Sequence, residues 1–358
     1  MSGEDDILFE RRGGLAVVTL NRPAALNALT LDMARAFERE LHAWESDGAV
    51  AAVLIQGAGE RAFCAGGDIR RLYDAGRAGD SYPGDFYRHE YRLNARIHGF
   101  RKPYIALMDG IVMGGGVGLS VHGTWRVAGD RTLFAMPETG IGLFPDVGGS
   151  YFLPRLRDWF GMFLALTGTR LKAADAVGAG VCDLYVPSDR RPDLAAALAA
   201  AGLAGDARAT VMAVLRRFAA DPGPAPLATQ RAAIAHCFDK DSVEGILAAL
   251  AAEGGEWAAL TAKAMRDKSP TSMKITHRQV RAGARLDFQD CMRMEYRMAV
   301  ACAASHDFYE GVRAAVIDKD GRPSWRPASL EEVGPEMVSR YFDVAPPGGD
   351  LSFPKRPG

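Results

Sequence analysis

The sequence carries almost no net charge: 43 Lys and Arg against 44 Asp and Glu leave a formal −1. A nucleic-acid binder ordinarily shows a basic surplus or stripe, so no nucleic-acid partner is expected. A local basic pocket for a phosphorylated ligand is still allowed. Cysteine is scarce and unpatterned. The five (Cys64, Cys182, Cys237, Cys291, Cys302) are odd in number, scattered and without a CxxC spacing. That suits free thiols in a reducing compartment and excludes a disulfide framework or a zinc site. The seven histidines lack metal-ligand spacing as well, so no metal is expected. No run reaches the roughly 18 consecutive apolar residues of a membrane span. The opening stretch, MSGEDDILFERRGG, is acidic and has no apolar segment of signal-peptide length. A cytoplasmic protein without a membrane partner is the expectation. No internal repeat is visible.

What the chain does have is 358 residues, 48% of them hydrophobic and 24% charged, enough for one large domain or two ordinary ones. Leu15 to Leu20 (LAVVTL) is rich in β-branched residues and stops at the turn signal Asn21-Arg22-Pro23. Thr30 can cap a helix whose apolar residues Ala34, Phe37, Leu41 and Trp44 recur at helical spacing. Ala51 to Gly57 and Tyr104 to Met108 read as buried strands, with shorter candidates at Trp125 to Ala128 and Thr132 to Ala135. Alternation of this kind predicts an α/β architecture with largely parallel strands. After Tyr151 the strand patterns give way to helical ones, and alanine-rich amphipathic sequence follows the polar passage PSDRRPD. The expected organisation is a catalytic core over residues 1–190, a helical region over 191–345 and a flexible tail over 346–358.

Three segments carry chemistry. FAMPETGIGLFPDVGG, Phe134 to Gly149, sets Glu138 and Asp146 on a turn-rich stretch with four glycines and two prolines. Carboxylates on such a stretch are expected to be held by the backbone, not buried in a core. CAGGD (Cys64 to Asp68) and MGGGVG (Met113 to Gly118) are suited to offering bare backbone N–H groups. Acids plus paired backbone donors is what acyl-thioester chemistry needs. Each piece also has a plain structural reading. Glycines at a helix start serve tight packing on a sheet, Glu138 could end a strand in solvent, and Asp146 could close an Asx-turn or cap a helix before Gly148-Gly149. Cys64, beside the first glycine segment, reads as a space-filling thiol. Tyr151 and Trp325 read as packing residues.

These segments resemble the enoyl-CoA hydratase/isomerase (crotonase) superfamily. The resemblance rests on LNRPAALNALT, AFCAGGDIR, KPYIALMDGIVMGGGVGLS and the PE-containing segment after them. Within the superfamily the chain is most similar to the 3-hydroxyisobutyryl-CoA hydrolases, through FAMPETGIGLFPDVGGSYFLPRL, SPTSMKIT (Ser269 to Thr276) and DFYEGVRAAVIDKDGRPSWRP (Asp307 to Pro327). It spans roughly residues 8 to 335. The resemblance implies a crotonase-like spiral of repeated ββα units with a helical C-terminal region.

It also implies roles. The amides of Gly67 and Gly115 would form an oxyanion hole. Ala25, Leu26, Ala65, Gly66, Asp68, Gly114 and Gly118 would lie along the CoA and substrate path, Asp68 bracing its own loop. Arg70, Arg71 and Lys319 are candidates to meet the CoA phosphates. Hydratases of the superfamily carry two glutamates, and the first of those positions is Gly118 here. Glu138 keeps the second, and Asp146 adds a carboxylate where hydratases usually carry a small residue. Hydration is therefore disfavoured, and hydrolysis of a short 3-hydroxyacyl-CoA is expected, with CoA as part of the substrate and no separate cofactor. Glu138 would activate water or attack directly. An enoyl-CoA isomerase or hydratase of the same superfamily and a non-catalytic acyl-CoA-binding protein are the alternatives. Homo-oligomerisation is allowed, since the superfamily often forms trimers.

Overall fold

The computed structural model describes residues 5–353. Strands β1 (Ile7–Arg12), β2 (Leu15–Leu20), β3 (Ala52–Gly57), β5 (Tyr104–Met108), β7 (Trp125–Ala128) and β9 (Leu184–Tyr185) form a sheet in the order β1-β2-β3-β5-β7-β9. Only β1 runs antiparallel, through its pairing with β2. Three short strands, β4 (Ala62–Cys64), β6 (Ile111–Met113) and β8 (Leu133–Ala135), form a second, parallel sheet. Each successive pair, β3–β4, β5–β6 and β7–β8, adds one strand to each sheet and then passes into helix. That is a spiral of ββα turns, repeated in space without any repeat in sequence.

Residues alternate across the large sheet as strand geometry requires. Ala16, Val18 and Leu20 face one core with α1 (Leu31–Ser46) and α3 (Tyr82–His98), while α2 (Ile69–Arg77) lies between these helices in sequence. Thr30 caps α1 by accepting from the Met33 amide, as its sequence position predicts. Leu15 and Val17 face a second core closed by α8 (Arg191–Ala200) and α9 (Ala207–Phe218). The expected boundary near residue 190 thus falls between β9 and α8, and packing crosses it.

The intervening short helices are α4 (Gly115–Gly118), α5 (Gly149–Phe152), α6 (Phe160–Thr167) and α7 (Ala173–Gly178). Beyond α9 come α10 (Arg231–Phe238), α11 (Val243–Glu253), α12 (Gly255–Arg266), α13 (Pro270–Gly283), α14 (Phe288–Ala303), α15 (His306–Val312) and α16 (Pro335–Asp343). Of these, α13 packs on α5 and α6, and α14 packs on α3 and α5, so the helical region leans against the catalytic loops.

Residues 346–353, within the stretch expected as a tail, make contacts with α3 and α14. Asp350 pairs with Arg297, Arg92 donates to the Ser352 carbonyl at 2.9 Å, and Leu351 is buried. Residues 354–358 lie outside the described residues.

Candidate active site

All three strands of the small sheet end at one place. β4 runs into Ala65–Gly67, β6 into Gly114–Gly115, and β8 into Pro137–Glu138. Because the strands are parallel and adjacent, their C-terminal turns sit side by side, the usual placing of a ligand site on a parallel sheet. They open on a cleft of about 360 Å³ that also takes side chains from α3, Lys268 before α13, and Ala315.

The two glycine turns touch. A Cβ built on Gly115 would stand 3.3 Å from the Gly67 amide nitrogen. Leu29 pairs with the first turn through the Gly66 carbonyl and the Asp68 amide, at 2.8 and 2.9 Å, which leaves the Gly67 N–H out of that bridge. Gly115 opens α4, so its N–H has no acceptor within the helix. The next residue, Gly116, answers the packing reading: a Cβ there would stand 2.2 Å from the Cys64 carbonyl oxygen. One run of glycines therefore serves close packing at Gly116 and an open amide at Gly115.

Both predicted acids line this cleft, and both are buried, at 4% exposure each. This corrects the expectation of acids held on an open turn. Glu138 begins a 3-10 turn (Glu138–Ile141) at the end of β8, and its Oε2 has no hydrogen-bond partner among the described residues. Burial first, and then the neighbouring Asp146, push its carboxyl well above the ordinary range, while Lys268 and the Gly114 amide pull it down. Asp146 accepts a 2.8 Å hydrogen bond from the Tyr91 hydroxyl. Burial raises it to about 7 against the pull of that hydroxyl. The turn that carries Asp146 is held on both flanks. Gln279 donates to the Pro145 carbonyl at 2.7 Å, and His122 Nε2 meets the Val147 carbonyl at 2.7 Å. Burial drives the His122 pKa down to about 3, so it is a neutral donor.

A third acid, unforeseen in the sequence, joins them. Glu90 on α3 is 2% exposed, lines the cleft, and has an Oε1 without a partner among the described residues. Burial, then Asp146, Glu295 and Glu138, push its carboxyl well above the ordinary range. The one hint in the sequence is an acid on the largely apolar face of α3, between Tyr87 and Leu93. Glu90 changes the reading of Gly118. A Cβ built on Gly118 would meet the Asn94 amide nitrogen at 2.6 Å and the Val147 side chain at 2.7 Å. Gly118 is thus a packing contact and not part of the substrate path. The acid missing from α4 is supplied to the cleft by α3, so the absence of a glutamate at 118 does not by itself count against hydration.

The other expected binding residues divide. Ala65, Gly66 and Gly114 line the cleft. Ala25 and Leu26 lie outside its lining; their segment is stitched to the first glycine turn by the Ala65 amide on the Leu26 carbonyl, 3.0 Å. Asp68 caps α2 and pairs with Arg22 at 3.0 Å, the bracing role expected of it. Arg70 donates to the Val316 carbonyl next to the cleft-lining Ala315, Arg71 lies over the Tyr82 ring, and Lys319 is exposed. Cys64 is fully buried, and burial pushes its thiol up to about 12, which suits a packing residue. Tyr151 packs edge-on against His98 and Phe288, and Trp325 donates to the Asp267 carbonyl. Among the described residues no group of three His, Cys, Asp or Glu side chains is placed to hold a metal. No helix among them is long and apolar enough to cross a membrane.

A largely parallel sheet and a smaller parallel one, wound in ββα turns with glycine turns and buried acids at the strand ends, define a crotonase-type fold with a candidate site at those ends. The profile of the enoyl-CoA hydratase/isomerase family matches residues 15–342, and the chain belongs to that family. Among named proteins it is similar to the mitochondrial 3-hydroxyisobutyryl-CoA hydrolases of Gallus gallus (47% identity over 94% of this chain and 88% of that one) and Danio rerio (48%, 94% and 89%). Among solved structures it is similar to a carnitinyl-CoA dehydratase from Mycobacterium thermoresistibile, with TM-score 0.90 and 43% identity over 98% of this chain and 99% of that one. An enoyl-CoA hydratase from Rhodobacter sphaeroides 2.4.1 gives 0.86 and 39%, over 97% and 100%.

Proposed function

We propose that the chain hydrolyses a short 3-hydroxyacyl-CoA thioester, foremost 3-hydroxyisobutyryl-CoA to 3-hydroxyisobutyrate and CoA, a step of valine breakdown. One observation carries the reading. Glu138 and Asp146 share a cleft with the adjoining turns of Gly67 and Gly115, in a chain nearly half identical to hydrolases of that name.

The chemistry follows from those positions. The thioester oxygen lies against the two amides, which stabilise its charge as a tetrahedral centre forms; removing one such donor typically costs about 3–4 kcal/mol of transition-state stabilisation. Glu138 takes a proton from water as the new C–O bond forms, and returns it to the CoA thiolate as the C–S bond breaks. Direct attack by Glu138, through an anhydride that water then opens, reaches the same products. Asp146 orients the substrate hydroxyl or Glu138. CoA is part of the substrate, and no separate cofactor takes part.

A second reading, addition or removal of water across an acyl-CoA double bond, is favoured by the Glu90–Glu138 pair, which puts two acids in the cleft. Release of free thiol decides between them. A panel of 3-hydroxyacyl-CoA and enoyl-CoA substrates, assayed with wild type, Glu138→Gln and Asp146→Asn, should give CoA release that both substitutions suppress. Gain or loss of water by the acyl chain without thiol release would establish the second reading, and a moved double bond without either would mark an isomerase. CoA binding with no turnover, unaffected by Glu138→Gln, would leave only a binding protein.

The cytoplasmic location is likewise our proposal; the vertebrate relatives carry "mitochondrial" in their names. Cell fractionation with an antibody to the native chain tests it.

A further inference from the structure

Asp146 precedes two glycines and a helix start, a sequence in which an aspartate ordinarily turns its carboxylate back onto the following amides as a cap. It does not do so here. Of the amides it would cap, Gly149 donates to the Asp146 main-chain carbonyl at 2.8 Å, and Gly148 is taken by Glu295, which reaches in from α14, 149 residues further along the chain. Its Oε2 accepts from the Gly148 amide at 2.7 Å, and its Oε1 from the Ser150 amide at 2.8 Å and from the Ser150 hydroxyl. Gly148 itself, the residue before α5, provides no side-chain cap. Glu295 is completely buried, and a carboxylate placed there without partners would be strongly disfavoured. Burial raises its carboxyl to about 8 against the pull of these three contacts, each of which uses it as an acceptor.

We propose that Glu295 is a positioning residue for the cleft. By capping α5 from outside it releases the Asp146 carboxylate from the turn, so that Asp146 meets Tyr91 and the substrate. The backbone agrees. Val147 adopts a left-handed φ of 53° and Gly148 one of 86°, a conformation that costs free energy in a β-branched residue and persists only where neighbours fix it. His122 and Glu295 grip the two sides of that kink. The helical region thereby enters the chemistry without touching substrate, which gives it a role beyond covering the core. The inference rests on the thioester-cleaving reading for its kinetic effect. Its structural half stands independently.

The test is a double-mutant cycle on CoA release from 3-hydroxyisobutyryl-CoA, using wild type, Glu295→Gln, Asp146→Asn and the double variant, with thermal melts to verify folding. Gln keeps the shape of Glu295 but replaces one acceptor with a donor aimed at a donor. A misplacement of about 1 Å in a reacting group can lower the rate about a hundredfold. Glu295→Gln should therefore reduce kcat by that order, with KM changed by less than about threefold. In the Asp146→Asn background the same change should matter by less than about twofold, because the residue it positions is gone. Equal losses in both backgrounds, or no loss in the folded variant, would overturn the proposal. If Glu295→Gln does not fold, Ser150→Ala removes one of the donors and runs through the same cycle. Amide hydrogen exchange over residues 146–152 without substrate gives the second readout: faster exchange in the variant is expected, and unchanged protection refutes the bracing. Should wild type release no CoA from any substrate, the hydrolase reading fails while the exchange result still decides the role of Glu295.

Discussion

Asp146→Asn should destroy turnover and stabilise the protein, and the size of the second effect can be worked out from burial. The Asp146 carboxyl sits at about 7 in the folded chain against an ordinary 3.8, chiefly because it is buried. Raising a carboxyl by about 3 pH units, at about 1.36 kcal/mol for each, means about 4 kcal/mol of folding free energy lost once the group is ionised. Relaxation of the surroundings and the higher effective dielectric of real interiors bring the expected gain on neutralisation to about 2–4 kcal/mol. With an unfolding entropy of roughly 2.1 cal/mol/K per residue, a chain of this length should gain about 3–5 °C in Tm at pH 8. The amide keeps an oxygen for the Tyr91 hydroxyl, so the 2.8 Å bond survives. The sign fixes the pH window. Because the folded pKa is raised, the unfolded chain sheds its proton first. Wild type therefore loses stability as pH rises from about 4 to about 7, and the loss is complete above that. The gap between variant and wild type should thus shrink by more than half from pH 8 to pH 5. Glu90 and Glu138, also raised by burial, leave the variant a slope of its own. Calorimetric melts at the two pH values, paired with CoA-release assays showing a loss of about a hundredfold or more, make the measurement. A variant no more stable than wild type at pH 8, or a gap indifferent to pH, would refute the reasoning.

Other perturbations follow from the same geometry. Gly118→Glu, which writes back the acid that hydratases carry, should not create hydration. Its Cβ collides with Asn94 and Val147, and overpacking of this kind costs about 1–3 kcal/mol or more; a lowered Tm with no new hydratase activity is expected, and a stable variant that hydrates enoyl-CoA would contradict it. Lys268→Met removes the cation that favours the Glu138 carboxylate. The acid limb of kcat/KM should move to higher pH, because Glu138 then protonates earlier as pH falls; an unmoved or lowered limb counts against the assignment.

Much of the large sheet was legible because its strands are long enough for period and β-branching to register. Leu15 to Leu20 and Tyr104 to Met108 match β2 and β5 residue for residue. Of the small sheet only β8, within Thr132 to Ala135, was legible. β4 and β6 have three residues each, too short for any periodicity. Yet it is the small sheet that brings the two glycine turns and Glu138 together. Glu138, Asp146 and the glycine pairs stood out locally, because proline, glycine and acid in one short stretch are unusual. Glu90 and Glu295 did not. Each is one of two acids on its amphipathic helix, where an acid is ordinarily solvated, and only the packing of α3 and α14 behind the cleft turns them inward. The burial of Asp146 was missed for the same reason: a turn-rich segment looks exposed until distant helices cover it.

The claim on which the rest depends is that a thioester is cleaved with its oxygen held by two main-chain amides beside Glu138. The most direct measurement is a crystal structure of Glu138→Gln with intact 3-hydroxyisobutyryl-CoA. The carbonyl oxygen should lie about 3 Å from the nitrogens of both Gly67 and Gly115, with the residue-138 side chain at the carbonyl carbon. A thioester bound elsewhere, or an oxygen out of reach of those two amides, would contradict it.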